Sequence, residues 1–156
     1  MRHRYLEIAT TPAVRAERAR YGSDAHYARF DGADADGPVR NDRLGPDEAA
    51  FIAARDGFYV ASVSATGWPY VQFRGGWPSF LRVLDDHTLG WADLRGNRQH
   101  LTTGNVAGDD RVSLFLMDYA GRRRLKIFGR MRVTHAADDP VFAASLAVPG
   151  YPGQVD

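Results

Sequence analysis

The sequence predicts a mainly β domain with flanking helices, built as an antiparallel barrel. Three observations lead there. Six runs of aromatic and β-branched residues follow one another from Phe58 to Val133, the composition that suits a pleated, half-buried surface. Short turn signals such as Thr66-Gly67-Trp68-Pro69 and Asp85-Asp86-His87 separate the first four runs, which reads as a meander. Closing such a sheet on itself hides its unpaired edges, so a closed or nearly closed barrel is the economical architecture.

The elements follow in order. Leu44-Gly45-Pro46-Asp47-Glu48 places proline and two acids in a first turn, which favours a helix N-terminus. The spacing predicts a helix over Asp47 to Asp56, ended by Gly57. Phe58 to Ser64 is the first strand, and Tyr70 to Arg74 the second, ending at Gly75-Gly76-Trp77-Pro78. Phe80 to Leu84 and Leu89 to Ala92 are the third and fourth. The stretch around Asn97 to Thr103 predicts a short helix, with Gly104 after it. Val112-Ser113-Leu114-Phe115-Leu116-Met117 is almost continuously apolar, as a strand buried on both faces would be. Arg124 to Val133 alternates charged and apolar residues, so one face meets a core and the other presents Arg124, Lys126, Arg130 and Arg132. Asp138-Asp139-Pro140 opens a last helix.

The first part of the chain differs. Residues 1–43 are polar and rich in Ala, Arg and Asp. Thr11 and Pro12 read as the cap and first turn of a helix that Gly22 ends. Gly32 to Pro38 reads as a flexible loop. Too few apolar residues remain for a separate core. This segment is therefore expected to be an arm packing on the barrel or on a partner, with residues 44–156 forming the barrel.

Composition narrows the function classes. The chain has 156 residues, of which 44% are hydrophobic and 25% charged, and a net charge of +1. That is an ordinary globular balance at single-domain length. No run approaches the ~20 apolar residues of a bilayer span, and the basic start lacks the apolar stretch of a signal peptide. A cytoplasmic protein without membrane contact is expected. Near-neutral charge argues against a nucleic-acid binder. The absence of cysteine removes disulfides, thiolate metal sites and cysteine nucleophiles together. Lys126 is the sole lysine and every other basic residue is Arg. Codon usage in a GC-rich genome explains this, though Arg forks also suit phosphate and carboxylate.

Several kinds of chemistry are missing. There is no Walker loop, no Gly-x-Gly-x-x-Gly fingerprint and no Gly-x-Ser-x-Gly elbow. His3, His26, His87, His100 and His135 are scattered, none at zinc-ligand spacing, so no metal site is expected. What remains are polar residues at strand ends and turns. Gln72 and Arg74 share one strand face, and Gly75 and Gly76 let backbone approach a ligand. Asn97, Arg98 and Gln99 stand where a helix start would offer free amides to an anion, with Arg98 a bidentate donor. Arg124 and Lys126 share the charged face of the long alternating strand. These could together line a pocket for a phosphate and a polar ring. Composition and spacing alone favour reading each as a solvated surface residue, and core packing or a dimer interface explains Trp68, Trp77 and Trp91.

An ordered series of segments then resembles a known family. It comprises Phe58-Tyr59-Val60-Ala61-Ser62-Val63, Pro69-Tyr70-Val71-Gln72-Phe73-Arg74-Gly75-Gly76 and Gly90-Trp91-Ala92-Asp93. It continues through Gly96-Asn97-Arg98-Gln99, Gly104-Asn105, Asp110 to Leu116 and Leu125-Lys126-Ile127-Phe128-Gly129. The series is similar to the pyridoxamine 5'-phosphate oxidase-like flavoproteins. The resemblance implies a six-stranded antiparallel split β-barrel, a homodimer, and FMN in a groove between subunits. It also implies that the FMN contacts fall at Gln72, Phe73, Arg74, Gly75, Asp93, Asn97, Arg98, Gln99, Arg124 and Lys126. The sequence departs from the oxidase itself. It lacks the paired Lys and the Ser-Arg-Lys run, and it ends at Asp156 without an Arg-Leu-x-Pro-like segment. Oxidation of pyridoxamine phosphate is therefore not expected. The expected function is an FMN-dependent oxidoreductase acting on a small molecule, with NADH or NADPH as candidate donor and the flavin supplying the redox chemistry. The alternatives are a non-catalytic flavin-binding module, or a split-barrel dimer that has lost flavin and binds another ligand. Tyr70, Tyr119 and His100 are the titratable candidates for a catalytic role, none with a partner that marks it as acid or base.

Overall fold

The computed structural model describes residues 2–31 and 37–151. It divides into two compact units, Met1–Leu44 and Gly45–Asp156. In the first, β1 (Arg2–His3) pairs in parallel with β2 (Val39–Arg40). Three helices lie between them: α1 (Arg4–Ala9), α2 (Pro12–Arg20) and α3 (Asp24–Asp31). Thr11 caps α2 as the sequence predicts, its hydroxyl accepting from the Val14 amide at 3.3 Å, and Gly22 follows at φ 71°. The Arg18 guanidinium stacks 4.1 Å from the Tyr27 ring centre. Thr10 alone is buried among this unit's described residues, so it has no apolar core. The loop expected at Gly32 to Pro38 falls mostly on residues 32–36, outside the described residues.

The second unit opens with α4 (Pro46–Ala53), where the Glu48 carboxylate reaches back to the Gly45 amide at 2.9 Å. β3 (Gly57–Val63) and β4 (Pro69–Gly75) form a hairpin, turned by Gly67 at φ 83°. Next come β5 (Arg82–Val83), β6 (Leu89–Gly90) and α5 (Leu101–Gly108). The unit continues with β7 (Arg111–Asp118), β8 (Arg123–Arg130) and α6 (Pro140–Leu146). Asp139 caps α6, accepting from the Phe142 amide at 2.9 Å. The main sheet is antiparallel in the order β4-β3-β7-β8, and β5 pairs with β6.

Register decides which residues share a face. Phe58, Val60 and Ser62 pair with Arg74, Gln72 and Tyr70, while Val60 also faces Leu114. This inner face carries the core, in which Phe58, Val60, Leu114 and Leu116 are at most 4% exposed. Ile52 of α4 and Leu146 of α6 are buried as well. The outer face carries Tyr59, Phe73, Val71, Phe115, Phe128, Arg124 and Lys126.

The fold is thus mainly β with antiparallel sheets and packed helices, as expected, but the strands differ. Among the described residues there are eight, in three sheets, rather than six in one barrel. The two extra strands belong to the arm. The runs at 80–84 and 89–92 shrink to two residues each. Ser79 sits at φ 69°, a left-handed kink that blocks an extended entry, and Phe80 and Leu81 are both buried in succession, unlike the one-face burial along β3. The hairpin therefore stays apart from the main sheet. β7 is buried on its inner face only: Ser113, Phe115 and Met117 are half-buried. β8 ends at Arg130, so Arg132 lies beyond the charged strand face. No helix among the described residues is long and apolar enough to cross a membrane.

Candidate functional site

The structure distributes the residues singled out from the sequence over three places. Gln72 and Arg74 lie on the inner face. Gln72 Oε1 accepts from the Thr102 hydroxyl of α5 at 2.8 Å, and Arg74 Nη2 meets Asp93 Oδ2 at 3.2 Å. One turn along α5, Asn105 donates to Ser62 Oγ at 3.0 Å, so a polar seam joins this helix to β3 and β4. Phe73 points the other way, its ring against Gly57 and Gly75, where a Cβ on Gly75 would come within 2.8 Å of it. Arg124 and Lys126 share that outer face, Lys126 Nζ standing 5.8 Å from the Phe115 ring.

Asn97, Arg98 and Gln99 occupy a connecting loop. The helix expected from Asn97 begins instead at Leu101 and runs past Gly104 to Gly108. Asn97 Oδ1 accepts from the Gln99 amide at 3.2 Å, a local turn that competes with helix. Arg98 and His100 adopt φ 58° and 52°, and left-handed residues cannot continue a right-handed helix. The free amides of the helix start therefore lie beyond His100 and not beside Arg98.

A cavity of about 410 Å³ opens between the inner face of β7 and β8, the β5–β6 hairpin and α6. Its size falls in the roughly 300–1,000 Å³ range of small-molecule and cofactor sites. Trp91, Val112, Leu114, Ile127, Phe142 and Leu146 give it apolar walls. His87, His100, His135, Arg130, Arg132 and Asp93 give it a polar lining. Two of those charges are engaged: Arg130 Nη1 meets Asp110 Oδ1 at 2.5 Å, and Asp93 holds Arg74. His87 lies 3.8 Å from Asp86. The side chains of Arg132, His100 and His135 have no partner among the described residues.

Sequence reading missed this grouping. His87, His100 and His135 come from the hairpin turn, the start of α5 and the segment after β8. Their sequence separations carry no ligand pattern, and only the packing of α6 and the hairpin against the sheet brings them to one cavity. Tyr119, the other titratable candidate, is 72% exposed. Its hydrogen bond to Tyr59 holds its proton above the usual tyrosine range.

Comparison with known proteins sets this geometry in a family. The family described as Pyridoxamine 5'-phosphate oxidase matches residues 44–147. No curated protein matches the chain. Among solved structures, a His-to-Ala variant of HupZ from Group A Streptococcus is 15% identical, covering 69% of this chain and 89% of its own, with a TM-score of 0.48. HutZ, the heme storage protein from Vibrio cholerae, is 17% identical, covering 73% of this chain and 91% of its own, with a TM-score of 0.41. The expectation of FMN as cofactor and of an FMN-dependent oxidoreductase is corrected by this last comparison: a heme storage protein stands among the similar solved structures, and neither FMN nor flavin chemistry is assigned to this chain. The match over residues 44–147 takes in both hairpins of the main sheet, α5 and the walls of the cavity, and by it the chain belongs to the pyridoxamine 5'-phosphate oxidase family.

Proposed function

We propose that this chain is a ligand-binding split-barrel protein that holds heme in the cavity between the inner sheet face, the β5–β6 hairpin and α6, with no turnover of its own. One observation carries the reading: a cavity of about 410 Å³ combines apolar walls with imidazoles and a guanidinium that no other group engages. Heme iron is held by histidine in many proteins, and His100 and His135 offer uncommitted ring nitrogens. Trp91, Ile127 and Phe142 offer flat or branched apolar surface to the ring. Heme is also what HutZ is described as storing, but the cavity supplies the argument. The protein's part is to bind, to orient and to exclude water.

Hemin titrated into the purified protein tests this. The expected result is a shifted and sharpened Soret band that saturates at one heme per chain. An unchanged hemin spectrum, or a protein that purifies yellow with flavin absorbance, overturns it.

We also propose that a second copy of this chain covers the outer sheet face. Val71 and Phe73 are 60% and 57% exposed there, beside Tyr59 and Val63, and contiguous apolar surface of this kind marks interaction sites. The patch on β3 and β4 is uncharged, and Arg124 and Lys126 stand on β8, two strands away from β3. A two-fold contact centred on β3 and β4 matches the apolar patch with itself and leaves the cations at its rim.

A further inference from the structure

We infer that the cavity selects a ligand bearing a carboxylate on its apolar body, and that Arg132 is the residue that receives it. This rests on the reading of the cavity as the ligand site and adds the chemistry of the ligand's polar edge. The inference comes from the charges around the cavity. Its lining holds two guanidiniums, Arg130 and Arg132, and one carboxylate, Asp93. Asp93 is engaged by Arg74 at 3.2 Å, and Arg130 by Asp110. Arg132 lies just past the end of β8 and has no anionic partner among the described residues. Arg132 is exposed, so one uncompensated positive charge stands at the edge of a cavity with largely apolar walls. His87, His100 and His135 are the other titratable lining groups.

A guanidinium in that setting favours an anion with a fork geometry, and a carboxylate accepts two parallel N–H bonds from it. An apolar cation would meet repulsion, and a neutral ligand would leave the charge unused. The ligand class is thus an amphipathic carboxylic acid, with its acid group at the β8 end of the cavity. Heme belongs to this class, but the inference concerns the acid and not the metal.

Metal-free protoporphyrin IX separates the two. It carries the carboxylates and cannot take an axial histidine. Its dissociation constant is measured at pH 8, at low and at moderate salt, on the full chain and on R132Q, R132K and R123Q. Loss of one charge-assisted hydrogen bond predicts about tenfold or more weaker binding in R132Q. R132K is expected to recover part of that loss, because the charge returns without the fork. R123Q is expected within about twofold of the unsubstituted chain, since Arg123 is engaged by Asp118 and does not line the cavity. The salt dependence of binding is expected to flatten in R132Q and in no other variant, a change that a merely structural role for Arg132 would not produce. Equal affinity of R132Q and the unsubstituted chain overturns this inference and leaves the heme reading standing. Failure of the unsubstituted chain to bind either hemin or protoporphyrin IX overturns both.

Discussion

Thr102 of α5 donates its hydroxyl hydrogen to the carboxamide oxygen of Gln72 on β4 across 2.8 Å, with Thr102 only 1% exposed. Together with Asn105 and Ser62, this pair replaces apolar packing under the helix with directional bonds. A buried polar group left without its partner carries its full desolvation cost, about 1–3 kcal/mol. Thr102→Val keeps the side-chain shape and strands the Gln72 oxygen, so it is expected to lower stability by about 1–2 kcal/mol. Urea unfolding checks this, and Thr102→Val/Gln72→Leu together is expected to lose less than the sum of the single changes.

Asp109 predicts an acid-dependent contribution to stability. The Arg111 side chain, and then its backbone amide, hydrogen-bond the Asp109 carboxylate and lower its pKa from 3.8 to about 2. The unfolded chain therefore takes up this proton before the folded one does. The contribution is complete well above pH 3.8 and is lost as pH falls through about 2. Asp109→Asn is expected to be less stable than the unsubstituted chain at pH 7, and the gap is expected to close in that acid window. Thermal melts at pH 7, 4, 3 and 2 test it. A gap that widens toward acid would contradict the assignment.

The outer sheet face predicts an assembly. Phe73→Glu places a charge in the centre of the exposed apolar patch on β3 and β4. Light scattering coupled to gel filtration is expected to show a dimer for the unsubstituted chain and a monomer for the variant. A monomeric unsubstituted chain removes the second copy from the proposal.

Histidine ligation predicts a spectroscopic signature. If His100 or His135 binds iron, replacing that one residue by Ala is expected to abolish the hemin Soret shift, while the other substitution leaves it. Both side chains are exposed and have no partner among the described residues, so neither change is expected to move the melting temperature by more than a degree or two. Retention of the shift in the single variants of His87, His100 and His135, and in the triple variant, would remove these imidazoles from the iron.

Local chemistry made some of this protein legible in its sequence. Alternation and β-branching placed β3, β4 and β8, because those patterns are satisfied by one buried face each, and a continuous apolar run placed β7, although only one of its faces is buried. Thr11, Gly67 and Asp139 marked their caps and turn, because a side-chain cap or a positive φ is decided by the residue and its near neighbours. The ordered motifs from Phe58 to Gly129 also carried the family resemblance.

The tertiary structure decided the rest. It stopped β5 and β6 at two residues each, since the buried pair Phe80 and Leu81 had to turn inward together. It moved the start of α5 past Asn97, where three left-handed residues, Gly96, Arg98 and His100, interrupt the chain. It sent Gln72 and Phe73 to opposite faces of one strand and gathered three scattered histidines around one cavity. Those outcomes depend on which distant segment packs against which, and that information is spread over the whole chain and not held in any local window.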